Sequence, residues 1–127
     1  MDFASIRIIT EDVERLTRFY ELVTETRALR PAPVFAEFRT DTGSLAIADP
    51  VTVAMLGDNA PTAARNDSII IEFLVSDVDA QFARLRPALE AIVLEPTTMP
   101  WGNRSTVFRD PDGNLVNLFS RPATEVG

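Results

Sequence analysis

The stretch WGNRSTVFRDPDGNLVNLFS, residues 101–120, places two alternating apolar runs on either side of the turn sequence DPDGN. This pattern predicts a strand, a tight turn and a second strand that pairs with the first. Successive side chains of a strand point to opposite faces, so Leu115, Asn117 and Phe119 share one face. A neutral amide therefore lies among apolar side chains, which makes Asn117 a candidate functional residue.

The DPDGN turn lacks the further acidic spacing of an EF-hand, so we interpret it as hairpin chemistry rather than as a calcium loop. Arg104 is expected to be structural, pairing with Asp110 or Asp112 to hold the turn. Trp101, between Pro100 and Gly102, has two open interpretations. It is a lid that stacks on a planar ligand, or it packs on the edge of the domain.

Upstream of the hairpin, SIIIEFLV (68–75) and AIVLEP (91–96) have the composition of strands. Between them, Asp77 can cap a helix whose apolar side chains follow helical spacing: Val78, Phe82, Leu85 and Leu89. The second half of the chain is thus predicted to run β-α-β-β-β.

The first half shows the same order. FASIRIIT (3–10) predicts a strand, and Asp12 can cap a helix with the apolar face Val13, Leu16, Phe19 and Val23. RALRPAP (27–33) predicts an edge strand because proline cannot donate to a strand ladder. VFAEFRT (34–40) and SLAIAD (44–49) predict two strands, VTVAML (51–56) is a further candidate strand, and GDNAPTAARND (57–67) predicts a linker.

The two candidate caps, Asp12 and Asp77, lie 65 residues apart, about half the chain. We interpret this as a repeat, although one common order arising twice by chance is the alternative. The prediction is an α+β fold of two tandem β-α-β-β-β modules with mostly antiparallel sheets. It forms a single domain over residues 1–127, with module one at about 1–57, a linker at about 58–66 and module two at about 67–121.

Composition excludes several classes of function. A net charge of −7 gives binding to nucleic acid no electrostatic support. The sequence also lacks a basic amphipathic segment, which would have indicated binding to a membrane surface. The sequence has no His and no Cys, and its 12 basic residues are all arginines. Catalytic triads, thiolate nucleophiles, zinc fingers and lysine Schiff bases are therefore excluded. The acidic N-terminus does not suit a signal peptide, so we expect a cytoplasmic protein.

Three segments, DVERLTRFYELV (12–23), VSDVDAQFARL (75–85) and WGNRSTVFRDPDGNLVNLF (101–119), together resemble the vicinal oxygen chelate superfamily. That superfamily includes glyoxalase I, extradiol dioxygenases, fosfomycin-resistance enzymes and bleomycin-resistance proteins. The resemblance implies that paired modules curl their sheets into a cup, often within a homodimer. It also implies metal ligands, usually His and Glu, at positions that here hold Ser5, Ala46, Ile70 and Asn117.

Because none of these four residues is His or Glu, the resemblance is to the metal-free, bleomycin-resistance-like members. It implies a homodimer without a cofactor that binds a small molecule, an antibiotic or a metabolite, and sequesters it without chemical change. The acidic surface would attract a cationic drug. The candidate ligand-binding residues are Ser5, Arg7, Ala46, Ile70, Glu72, Trp101 and Asn117.

Arg7 and Glu72 occupy matching positions in the two modules, and both are expected to face the cup. They either pair or lie solvated at its rim, or they bind a polar ligand. Asn117 is either a further ligand contact or an amide satisfied by its neighbours.

Two alternatives to a binding protein remain open. One is an enzyme, a lyase, isomerase or dioxygenase-like protein, that uses Glu72 as a general base or gathers Glu37 and Asp49 around a hard cation. The other is an interaction module whose cup is filled by side chains.

Overall fold

A computed structural model describes residues 1–122 and divides the chain into two compact units between Asn66 and Asp67. Each unit follows the order β-α-β-β-β, and this confirms the predicted α+β fold of two tandem modules. The first unit contains β1 (Ile6–Ile9), α1 (Val13–Thr24), β2 (Leu29–Ala32), β3 (Phe35–Arg39) and β4 (Ser44–Ala48). The second contains β5 (Ile70–Leu74), α2 (Val78–Leu85), β6 (Ile92–Thr98), β7 (Arg104–Arg109) and β8 (Leu115–Ser120).

Both helices begin at the predicted aspartates. The Asp12 carboxylate accepts a hydrogen bond from the backbone N–H of Arg15, and the Asp77 carboxylate accepts one from Ala80, each over 3.0 Å. Such caps satisfy backbone donors that the first helical turn leaves without partners. No helix within residues 1–122 is long and apolar enough to cross a membrane.

The sheet of the first unit has the strand order β1-β4-β3-β2, with β1 and β4 parallel and the other pairs antiparallel. α1 buries Leu16 and Tyr20 completely, and the Tyr20 ring meets Phe38 edge-on at 6.4 Å between centroids. One face of this sheet therefore belongs to the core under α1. β2, which contains Pro31, is an edge strand as predicted.

The sheet of the second unit repeats this order as β5-β8-β7-β6, again with one parallel pair, β5 and β8. α2 contacts β6, β7 and β8. Phe108, Val116 and Leu118, on the two central strands, are buried together with Leu85 of the helix. The alternate residues of β8 consequently point to the opposite face of the sheet.

Two predictions about element bounds are wrong. The segment VTVAML is not a strand but part of a 3-10 helical segment over Pro50–Asn59, which is broken at Gly57, where φ is 60°. Pro50 begins this helix, and the Asp49 carboxylate accepts a hydrogen bond from Val51 N over 2.8 Å. The helix α2 ends at Leu85, so Leu89 lies beyond it, after a 3-10 turn over Arg86–Ala88.

The DPDGN segment forms the hairpin turn that joins β7 and β8. Asp110, 5% exposed, accepts hydrogen bonds at Oδ1 from the backbone N–H groups of Asp112 and Asn114. Its Oδ2 accepts from Asn114 Nδ2 over 2.8 Å. Gly113 has a φ of 87°, a conformation that favours glycine. The turn therefore fixes the register of β8 against β7 from within.

Arg104 does not hold this turn, so its predicted pairing with Asp110 or Asp112 is wrong. Its guanidinium donates to both carboxylate oxygens of Asp79, over 2.6 and 2.8 Å, and joins β7 to the first turn of α2. Asp110 is occupied by the turn, whereas Asp79 lies within reach of the start of β7. The hydrogen bond from Arg104 is the largest cause that holds the pKa of Asp79 below 3.8.

This pair makes stability depend on pH in the acidic range. A carboxyl group with a lowered folded-state pKa contributes stability above its unfolded pKa, and the contribution is lost as pH falls through the folded value. We expect Arg104→Gln to lower the free energy of unfolding near pH 7 and to differ less from the parent protein near about pH 2.5.

Urea unfolding at both pH values measures this difference. Arg109→Gln is the matched control, because Arg109 donates to the Gly113 carbonyl and pairs with no carboxylate among residues 1–122. An Arg104→Gln deficit that stays the same size at both pH values would contradict the role assigned to Asp79.

Candidate functional site

α2 packs against one face of the second sheet, and the opposite face carries the candidate site. On β5 it presents Ile70, Glu72 and Leu74, of which the two apolar residues are 52% and 56% exposed. On β8 it presents the half-buried residues Leu115, Asn117 and Phe119. An open stretch of apolar surface thus surrounds one carboxylate and one amide.

The parallel register of β5 and β8 places Glu72 directly beside Asn117. Asn117 Nδ2 donates a hydrogen bond to Glu72 Oε2 over 2.8 Å. Within residues 1–122 no other side chain is bonded to Glu72, so its Oε1 accepts no hydrogen bond from the described protein. One carboxylate oxygen is held by the amide and the other is open to a donor.

The other half of the Asn117 amide has no such partner. Its Oδ1 is buried and accepts no hydrogen bond from the part of the chain that the structure describes. The cause lies in the neighbouring strand, because the residue opposite Asn117 on β7 is Val107, whose side chain has no donor. A buried acceptor without a donor costs stability, and the hydrogen bond to Glu72 offsets part of that cost.

In the first unit, the equivalent register pairs Arg7 with Ala46. Arg7 is exposed on β1, and Ser5 lies one residue before that strand. Across the sheet from Ala46 is Glu37, whose Oε1 is bonded to Arg39 Nε over 2.5 Å. Arg7 and Glu72 therefore occupy equivalent positions in their own sheets, as the sequence predicts.

Trp101 lies in the turn between β6 and β7 and is 71% exposed. The turn is held by backbone hydrogen bonds from Met99 N to Asn103 O and from Gly102 N to Met99 O, over 2.7 and 2.9 Å. The side chain is therefore not packed into the core of its unit. Its role as a lid stays a prediction.

An open surface depression in the first unit lies elsewhere, between the end of α1 and the start of β2. Two of its charged groups are engaged within the protein: Glu21 Oε2 accepts from Ala28 N over 2.9 Å, and Arg30 Nη2 donates to Glu14 over 2.6 Å. These bonds hold the helix end to the strand, so we assign this depression no binding role.

Comparison with known proteins gives the family. A family model described as Glyoxalase/Bleomycin resistance protein/Dioxygenase superfamily matches residues 2–118. The chain belongs to this superfamily. A comparison with curated proteins finds no match.

Solved structures with the same fold include three informative ones. A glyoxalase/bleomycin resistance protein/dioxygenase from Nocardioides is 21% identical with a TM-score of 0.75, covering 100% of this chain and 90% of that one. A glyoxalase/bleomycin resistance protein/dioxygenase family enzyme from Burkholderia phytofirmans PsJN is 16% identical with a TM-score of 0.82, covering 94% and 98%. A lactoylglutathione lyase from Agrobacterium tumefaciens is 21% identical with a TM-score of 0.70, covering 94% and 92%. The TM-scores show a shared fold, and identities this low show nothing beyond it.

The residues that the resemblance places at the superfamily's metal positions do not fit a divalent metal. Ala46 and Ile70 have no donor atom in their side chains, Ser5 offers a neutral hydroxyl, and Asn117 turns its NH₂ group rather than its oxygen toward Glu72. Within residues 1–122 no group of three or more His, Cys, Asp or Glu side chains is arranged to hold a metal ion.

The alternative carboxylates are also engaged in other contacts. Glu37 is bonded to Arg39, and Asp49 caps the 3-10 helix that begins at Pro50. These contacts therefore do not support a cation site shared by Glu37 and Asp49.

The list of candidate residues from the sequence omitted Val107, which decides the environment of Asn117. A signal for it was present, because a DPDGN turn fixes which residues of the hairpin face each other. Counting outward from the turn pairs Val107 with Asn117, as the structure shows.

The unpaired oxygen of Asn117 predicts an unusual mutational result. Asn117→Leu removes a buried acceptor that has no donor, so we expect the free energy of unfolding to rise or to change by less than about 1 kcal/mol. Urea unfolding monitored by circular dichroism measures it.

The matched control is the same substitution at Asn114, which is 3% exposed and bonded to Asp110 through both its backbone and its side chain. Asn114→Leu is expected to lower the free energy of unfolding by about 1–3 kcal/mol. Equal losses at both positions would show that Asn117 is an ordinary structural amide.

Proposed function

We propose that the protein binds a small molecule on the β5–β8 face, without a metal ion, and sequesters it without changing it chemically. The observation that carries this proposal is the Glu72–Asn117 pair with its apolar surroundings. Mixed apolar walls with a few placed polar groups are typical of small-molecule sites. An antibiotic or a metabolite is the expected type of ligand.

Residues of the first unit are also proposed to bind the ligand, because they match the site residues of the second unit. Arg7 and Ala46 are paired in the first unit as Glu72 and Asn117 are in the second, and Ser5, 65 residues before Ile70, lies just before β1. The three first-unit residues are proposed as ligand contacts from the resemblance to the superfamily, and Trp101 is proposed as an aromatic lid. The misfit of the metal positions supports the metal-free subtype.

The proposal includes a cytoplasmic homodimer, which is expected from the resemblance to the superfamily. Large apolar side chains exposed on the first unit are consistent with a covered surface: Val51, Met55 and Leu56. Sedimentation velocity with the purified protein distinguishes a dimer from a monomer.

A second candidate function is an enzyme in which Glu72 acts as a general base. The open Oε1 of Glu72 favours it, since a base must have an oxygen within reach of the substrate. Chemical change of the ligand distinguishes this function from sequestration.

The binding proposal predicts that ligands from a panel of antibiotics and amphipathic metabolites stabilise the protein equally in EDTA and in added Mn²⁺, Ni²⁺ or Zn²⁺. Thermal unfolding measures the stabilisation, and mass spectrometry of the recovered ligand shows whether it is unchanged. The double variant Ile70→Ser/Leu74→Ser should lose most of the shift, because it removes apolar contact area beside Glu72.

The control is Val93→Ser, which alters an equally exposed apolar residue on β6, at the opposite edge of the same sheet. A shift that required a divalent metal would contradict the metal-free proposal. A recovered ligand of altered mass would favour the enzyme.

A further inference from the structure

We infer that the Glu72–Asn117 pair selects ligands that carry a protonated amine or amidinium group next to an apolar group. This inference rests on the proposed function and names the ligand class of the same site. Asn117 is assigned the role of a positioning residue, which holds Glu72 in the orientation that the ligand meets.

The first step in the argument is the state of the carboxylate. An ionised carboxylate only accepts hydrogen bonds, and the Oε1 of the exposed residue Glu72 accepts none from residues 1–122, so a donor on a ligand can replace water there. Charged donors form hydrogen bonds roughly twice as strong as neutral ones, and an anionic ligand would be repelled. A cationic N–H group is the chemistry that fits best.

The second step is that the protein does not supply this cation from its own second unit. Arg86 is bonded to Glu95, Arg104 to Asp79 and Arg109 to the Gly113 carbonyl. Arg84 donates to Gln81, and the Arg121 guanidinium lies over the Phe119 ring at 5.8 Å. Within residues 67–122, Glu72 is therefore a carboxylate without a cationic partner.

The third step is the apolar surface on both sides of Glu72. Ile70 and Leu74 are two residues away along β5, a spacing of about 6–7 Å on the same face. Because Glu72 is exposed, a charge pair formed there would be weak by itself, and apolar contact with Ile70 and Leu74 would add to the affinity. An amine attached to a short apolar or aromatic group would contact both features at once.

The fourth step concerns Asn117. Its NH₂ group fixes Oε2 while its own oxygen is left buried without a donor within residues 1–122. An apolar residue at this position would avoid that cost. We therefore explain the amide by its hydrogen bond to Glu72, which orients the carboxylate, and not by a gain in stability. Its effect on ligand binding would pass through the orientation of the carboxylate.

Three probes of matched shape test the inference: phenethylamine, 2-phenylethanol and 3-phenylpropanoate. Titrations followed by NMR report on the side-chain amide of Asn117 and the methyl groups of Ile70, Leu74 and Leu115. We expect phenethylamine to bind about tenfold more tightly than the alcohol and the carboxylate to bind least. Glu72→Gln should remove most of this preference for the amine and leave the alcohol nearly unaffected.

Glu95→Gln is the matched control, since Glu95 is an exposed carboxylate of the same unit that is paired with Arg86. It should leave all three affinities unchanged. Asn117→Leu should reduce the ratio of amine to alcohol affinity several-fold without lowering the stability, a result that a purely structural role would not give.

The outcomes separate this inference from the proposed function. If the amine and the alcohol shift these signals with equal affinity and Glu72→Gln changes neither, the inference is overturned while the binding face stands. If the carboxylate binds most tightly, the inference is likewise overturned. If no probe shifts any signal of this face, both the inference and the proposed binding face fail.

Discussion

The register between β5 and β8 is the constraint on which the site depends. A parallel pairing that sets Glu72 beside Asn117 also sets Ile70 and Leu74 on the same face, because side chains alternate along a strand. A shift by one residue would turn the carboxylate toward the core under α2, where it would have to be paired or neutralised. The buried residues of β8 on the opposite face therefore hold the site in place.

The direction of one hydrogen bond explains the chemistry of that face. Asn117, which the resemblance places where metal-dependent members of the superfamily have a carboxylate, donates rather than accepts toward Glu72. The carboxylate of this pair lies on the adjacent strand, where its Oε1 accepts no hydrogen bond from residues 1–122. A donor amide beside a carboxylate prepares a site for a hydrogen-bonding ligand, whereas two carboxylates with an imidazole would prepare a site for a metal.

Much of the fold could be predicted from the sequence, because caps, alternation and turns are local signals. Asp12, Asp77 and the DPDGN turn each act within a few residues, and each forms the predicted structure. The partner of Arg104 could not be predicted, since Asp79 is 25 residues away and only tertiary packing brings it close. The 3-10 helix at Pro50–Asn59 was missed because its Val51 and Val53 alternate as in a strand while the proline and the cap of Asp49 decide otherwise.

Native mass spectrometry of the protein as purified, with neither metal nor chelator added, tests the central claim of a metal-free binding face. We predict a protein mass without a stoichiometric metal ion and, where a ligand co-purifies, an adduct with the mass of an intact organic molecule. Loss of that adduct in Glu72→Gln but not in Glu95→Gln would connect it to the site. A metal ion bound at one per chain would contradict the account.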